Sequence, residues 1–431
     1  MKQPKKNVTV NPLRLSQPSG AALAFLGIKG CIPLWHGVQG CTAFAKILFI
    51  QHFREPMPFQ TTALTQTSVV MGGEENIFEA VENIKKDARC LGILTTGVAE
   101  TNGADMERMA REISRKFPGL PTAVVNTPDF EGTLETGWVK ACRSALASFA
   151  KKRAMPRKLQ CAVFAGPYVT PGEVEWISDA IVMYGLRSVI FPDLGDSLYG
   201  RLLKNDYYAC ASGGTTLEEI ATLADSAFVI SIGSSMKEIA GKFADGSGIP
   251  AEHFEHLSDV REIDRFFTLL GEKSGIEAPM KIVRQREHLM DAMLDAQFYF
   301  HGRTACVAGD HDFIKRWGAA MEGIGAKALR FSSIQDGECP FGDLENFKGF
   351  AEANGADLLI GNSHVADLAD ETGRAVVRAG IPVYDRFGET QSVRIGYEGL
   401  AKLYMDCANA LMERPPLRAV PYKSTLQETL R

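Results

Sequence analysis

Short apolar runs alternate with longer stretches of helical period almost from one end of the chain to the other. The apolar runs predict β-strands over 90–96, 122–126, 159–165, 188–192, 227–232, 304–308, 328–331 and 357–361. Between them, apolar residues spaced by three and four predict helices over 74–88, 105–117, 137–152, 171–184, 217–223 and 261–270. A further helix is predicted over 42–53, with Phe44, Ile47, Leu48 and Phe53 on its apolar side. Such alternation predicts parallel sheets wrapped by helices. Local chemistry marks helix starts. Thr170-Pro171-Gly172-Glu173 reads as an N-cap with proline in the first turn and a glutamate reaching back, and Thr215-Thr216-Leu217-Glu218 repeats the threonine-to-glutamate box. Both follow predicted strands, so both mark strand-to-helix turns, where open α/β sheets bind ligands.

Two seams interrupt the alternation. A basic, proline-broken stretch over 151–158 reads as a linker, and 281–300 reads as a long helix with few breakers. The resulting division is 1–155, 156–275, a connecting helix over 276–300, 301–415, and a tail over 416–431. No tandem sequence repeat is visible.

Composition narrows the class of protein. The 431 residues are 45% hydrophobic and 23% charged, as in a globular protein able to bury large cores. The net charge is −5, and lysines and arginines are scattered, so no nucleic-acid partner is expected. The basic start, Lys2, Lys5 and Lys6, reads as a solvated tail. No signal peptide and no membrane-spanning run is expected, which predicts a cytoplasmic protein without membrane contact. Nine cysteines, spread from Cys31 to Cys407 without short regular spacing, do not suit a secreted disulfide framework.

Few residues advertise chemistry. Gly213-Gly214 precedes a helix, but neither GxGxxG after a strand nor GxxxxGK[ST] accompanies it, so it reads as a structural turn. No GxSxG elbow occurs; His364 reads as a helix-start residue and Cys339 as a loop thiol. Cys31, His36 and Cys41 are spaced C-x4-H-x4-C, the last three ligands of a zinc knuckle, but Ile28 stands where the first cysteine belongs. The apolar Ile32, Leu34 and Trp35 between them suggest packing instead. Cys41 is distinct because Gly37 and Gly40 bracket a tight turn before the predicted helix. Unpaired N–H groups at a helix start favour a thiolate. A small buried thiol in a close-packed turn suits the same residues, and local physics leaves both open.

The segments 11–18 (NPLRLSQP), 20–27 (GAALAFLG), 36–43 (HGVQGCTA) and 52–56 (HFREP) resemble the opening of the nitrogenase molybdenum–iron protein family. The stretches 95–100 (TTGVAE), 126–130 (NTPDF), 289–295 (LMDAMLD) and 361–364 (GNSH) fit the same pattern, so the likeness runs through most of the chain. Within the family the resemblance is to the β-type subunit of a cofactor-maturation scaffold, not to a self-sufficient enzyme. It implies three doubly wound, Rossmann-like α/β domains with mostly parallel sheets, in agreement with the three blocks. It also implies pairing with an α-type subunit in an α₂β₂ heterotetramer, and transient contact with the nitrogenase iron protein. An iron–sulfur cluster is implied at the α/β interface, and an iron–molybdenum cofactor precursor held mainly by the partner.

The family's nitrogenase β chain supplies three cluster cysteines, and the matching positions here are Ser16, Cys41 and Gly97. The resemblance therefore implies a 4Fe-4S cluster to which this chain gives Cys41 alone, with the other thiolates coming from the partner. No catalytic residue is implied. Val38 stands where the family commonly has serine, which removes a hydrogen bond beside the ligand. Cys31 is the alternative ligand, but Cys41 holds the motif and the helix start. Two other functions compete: a catalytic β subunit of nitrogenase or a related reductase, and a cluster-free α/β ligand-binding protein.

Overall fold

The computed structural model describes residues 10–103, 105–200, 208–335, 337 and 339–414. The strands are β1 (Cys31–His36), β2 (Gln60–Thr61), β3 (Cys90–Thr95), β4 (Thr122–Val125), β5 (Arg157–Ala165), β6 (Arg187–Phe191), β7 (Ser226–Ile232), β8 (Ala251–Phe254), β9 (Thr304–Gly309), β10 (Lys327–Ser332), β11 (Leu358–Gly361) and β12 (Ala375–Arg378). They form three four-stranded sheets, ordered β2-β1-β3-β4, β6-β5-β7-β8 and β10-β9-β11-β12. Every pairing is parallel. The permutation is the same each time: second strand, first, third, fourth. Each sheet therefore reverses its winding between its first and third strands, and the crevice at the carboxyl ends of that pair is where such sheets bind ligands.

Each predicted strand is present. Four others, β1, β2, β8 and β12, escape the apolar pattern. Three are edge strands, which are short or partly polar and carry a weak signal. The fourth, β1, is central but contains Pro33, which lacks a donor for the ladder. Its neighbour β2 pairs only at Leu34 and Trp35, so nothing in β2 claims a bond at Pro33.

The helix Gln17–Leu26 packs directly on the helix Leu134–Phe149, and both feed one core with β1 and β3. Gly20 and Gly137 make this possible. A Cβ on Gly20 would lie 1.8 Å from the Leu134 carbonyl oxygen, and one on Gly137 would lie 1.9 Å from that of Gln17. The backbones touch there, fixing Ser16 at the head of its helix. The second and third sheets share another continuous core. That joint is reinforced by Glu173, fully buried at the start of the helix Pro171–Met183, which pairs with Arg316 of the helix His311–Gly323.

Several expectations shift in detail. The box at Thr170 and Glu173 forms as read, but the next one joins Thr216 to Glu219, one residue later than expected. The helix expected over 42–53 spans Gln39–Phe53 and buries Thr42, Ala45, Phe49, His52 and Phe53. Phe44 and Ile47, expected on its inner side, face solvent. The helix is apolar all round, so periodicity could not choose its inner face. The long helix spans Met280–Phe300 and buries Leu289, Ala296 and Phe300. The tail over 416–431 and Lys2, Lys5 and Lys6 lie outside the described residues. Among the described residues no helix is long and apolar enough to cross a membrane.

Candidate functional site

The carboxyl ends of β1 and β3, which flank the switch point of the first sheet, and of the adjacent β4 lead into three chain segments on one edge of that sheet. The first carries Cys41, the second Gly97, and the third Asp129. The β1 end is held by buried groups. His36 Nδ1 lies 3.1 Å from Thr62 Oγ1, the Gly37 N–H donates to the same hydroxyl at 3.2 Å, and Thr96 Oγ1 donates to the His36 carbonyl. Burial pushes the His36 imidazole down to about 4, so it is neutral near pH 7. The third loop is tied back just as firmly. The Thr127 N–H donates to Thr95 Oγ1 at 2.8 Å, Thr127 Oγ1 donates to the Thr95 carbonyl at 2.7 Å, and Gln17 Nε2 donates to the carbonyls of Pro128 and Glu131.

Cys41 is half-buried in the first turn of the helix Gln39–Phe53. Val38 at the N-cap offers no side-chain hydrogen bond. Burial pushes the Cys41 thiol above its ordinary value, the Asp129 carboxylate pushes it further, and only the residue's own N–H pulls it down. The helix start thus does not make a thiolate in the chain by itself, because desolvation outweighs it. Around Cys41 the helix presents the exposed apolar row Phe44, Ile47 and Ile50, with Phe44 78% exposed, and Phe130 beside Asp129 is 61% exposed. Exposed apolar surface of this kind suits an interaction face.

Ser16 is the N-cap of the helix Gln17–Leu26; its Oγ lies 3.1 Å from Ser19 Oγ and makes no capping bond. It lines an open cleft of about 570 Å³ with Arg14 and Asp129. Gly97 is buried at the start of the helix Gly97–Thr101. A Cβ there would lie 2.2 Å from Asp129 Oδ1. Asp129, read in the sequence only as part of a matching motif, therefore ties the three positions together. An acidic residue in a loop has no spacing that would single it out. Among the described residues no three His, Cys, Asp or Glu side chains are arranged to hold a metal. Cys41 suits one corner of a cluster completed by another chain: a soft ligand at the surface, in an uncapped first turn.

The other candidates fall away for structural reasons. Cys31 begins β1 and Cys41 follows its end, so the strand separates them by roughly 16 Å at 3.3 Å per residue. Cys31 is buried opposite Cys90 in β3, and burial pushes its thiol well up. The zinc spacing and the substitute-ligand reading both fail on this separation. The Gly214 N–H donates to Asp196 Oδ2 at 3.0 Å, so a carboxylate already occupies the Gly213-Gly214 turn. The His364 N–H donates to Asn362 Oδ1 in a helix-start turn, as read. Cys339 is a partly buried free thiol.

Residues 16–412 match the family described as nitrogenase component 1 type oxidoreductase. A solved structure described as nitrogenase Cp1 at pH 6.5 superposes with a TM-score of 0.89 at 25% identity, covering 99% of this chain and 98% of that one. The chain belongs to the nitrogenase component 1 family. The nitrogenase iron-molybdenum cofactor biosynthesis protein NifN of Nostoc sp. (strain PCC 7120) is 36% identical over 429 residues, 96% of each chain. Its Klebsiella pneumoniae counterpart is 34% identical over 445 residues, covering 97% of this chain and 96% of that one. Within the family this chain falls in the NifN group of cofactor biosynthesis proteins.

Proposed function

We propose that this chain is the β-type subunit of a scaffold complex on which the iron–molybdenum cofactor precursor receives molybdenum and homocitrate. Its partner is a NifE-like α subunit, in an α₂β₂ heterotetramer visited transiently by the nitrogenase iron protein and working in the cytoplasm. The precursor lies mainly in the partner. Cys41 gives this chain's one thiolate to a 4Fe-4S cluster shared across the α/β interface. The observation that carries the reading is the half-buried Cys41 thiol set in an exposed apolar face, with serine and glycine at the two flanking family ligand positions. When bound, the cluster relays electrons between the subunits. The chain's own residues present the sulfur, hold the three loops in place, and exclude water through Phe44, Ile47 and Phe130 once the partner docks.

The test is anaerobic co-purification with the partner, comparing wild type with Cys41→Ala for iron content and for the paramagnetic resonance of the reduced cluster. The variant is expected to assemble, to lose the reduced-cluster signal, and to lose the interface iron. Unchanged iron and signal would sink the ligand assignment. A catalytic β subunit would instead show an eight-iron interface cluster with dinitrogen reduction, and two missing thiolates oppose it. A colourless, iron-free complex would favour a cluster-free binding protein.

A further inference from the structure

Asp129 occupies the space that a side chain at position 97 would need, and its charge acts on the Cys41 thiol. With glycine at 97 no atom competes for that place, since Asp129 Oδ1 lies where a Cβ would be approached to 2.2 Å. The carboxylate is not placed by chance. Its loop is stapled at Thr127 to β3 and at Pro128 and Glu131 to the Gln17 side chain. Arg14, in the same cleft, donates its Nε–H to the Gly132 carbonyl at 2.8 Å and keeps its positive charge. Asp129 and Phe130 are exposed on the single chain, and the Asp129 charge reaches the Cys41 thiol. A partner covering that face would lower the dielectric around the charge and strengthen its effect.

We propose that Asp129 sets the reduction potential of the metal group anchored at Cys41, holding a fixed negative charge in the room left by Gly97. A nearby negative charge favours the more oxidised, more positive form of a cluster and so lowers its potential. The inference rests on the Cys41 reading, and the experiment separates the two.

Redox titration of the anaerobic complex, followed by paramagnetic resonance, compares wild type, Asp129→Asn, Gly97→Ala and the double variant, with Cys41→Ala as control. Asp129→Asn keeps the shape and removes the charge. It is expected to retain its iron and to raise the reduced-to-oxidised ratio at fixed poise about tenfold, an upward shift of about 59 mV for one electron. Gly97→Ala keeps the charge but evicts the carboxylate. Gly97 does not have a left-handed backbone, so alanine is tolerated there. Its potential should move the same way, and on the Asp129→Asn background it should add little.

Wild-type potentials in both single variants, with Cys41→Ala empty of interface iron, overturn the Asp129 proposal alone. Iron lost from Asp129→Asn also overturns it, because the residue would then be a ligand. Failure of both single variants to assemble overturns it in favour of a purely structural role. Iron retained in Cys41→Ala overturns both readings.

Discussion

Cys41 shows how far one residue's surroundings can decide its chemistry. Burial is the largest influence and raises the thiol, Asp129 adds to it, and the local N–H opposes both. The free chain therefore carries a protonated, quiet sulfur. The buried histidines lend themselves to a direct prediction. Burial depresses His36 and His52 to about 4 from 6.5. The unfolded chain thus binds more protons between those values, and stability present above pH 6.5 is lost as pH falls toward 4. Asp310, raised to about 6 by burial, works the other way, as do Asp312 and Glu55. They stand against five lowered histidines, since burial also depresses His253, His256 and His364. Thermal unfolding of the chain at constant ionic strength should show its midpoint falling between pH 6.5 and 5. A flat or rising midpoint would refute the histidine argument. At this scale the sequence was half legible: the matching motif singled out Cys41, whereas Asp129 lies against Gly97 only once the chain has folded.

At the scale of the element, the helix Gln39–Phe53 joins Cys41 to the rest of the domain and has a weak start. Val38 sits at the N-cap with φ −74 and ψ 149, an extended backbone suited to serine, yet its side chain accepts nothing. Val38→Ser should supply the missing cap and stabilise the chain by about 1 kcal/mol, read by chemical denaturation. An unchanged or lower midpoint would mean that the first turn is held by other contacts. The same helix explains why its inner face was misread. Ala45, Phe49 and Phe53 face the core while Phe44, Ile47 and Ile50 face outward, and both rows are apolar. One row serves this chain and the other suits a partner, so a periodicity that assumes one buried face has nothing to choose between. β1 was missed for the opposite reason. Its proline opposed a strand locally, and only the short reach of β2 removes the objection.

Across the whole molecule, three sheets with one permutation provide three switch points, and the chain treats them differently. The first is open and carries Cys41. The second and third close on each other. Tyr168 follows β5 and donates its hydroxyl to Asp310 after β9 at 3.0 Å, and Ser235 after β7 donates its N–H to Asp312 at 3.0 Å. Glu173 is the deepest clasp. It accepts both terminal nitrogens of Arg316, one at 2.8 Å, and the Arg394 N–H at 2.9 Å, with nothing of it exposed. Removing one partner of such a buried pair leaves the other charge uncompensated, which costs about 3–5 kcal/mol. Glu173→Gln keeps the volume, weakens the helix-start box with Thr170 and strands the Arg316 guanidinium. It should therefore lower the chain's unfolding free energy by about that amount, measured by urea denaturation. If the chain instead tolerates Glu173→Gln within about 0.5 kcal/mol, the typical range for surface changes, then packing rather than the clasp joins the second and third sheets. Glu173 and its partners Arg316 and Arg394 lie outside the loops that follow β1, β3 and β4, so partner binding at the Cys41 face should survive the change. One fold, used three times, thus has two crevices clasped to each other through Glu173, Asp310 and Asp312, and one left open beside Cys41.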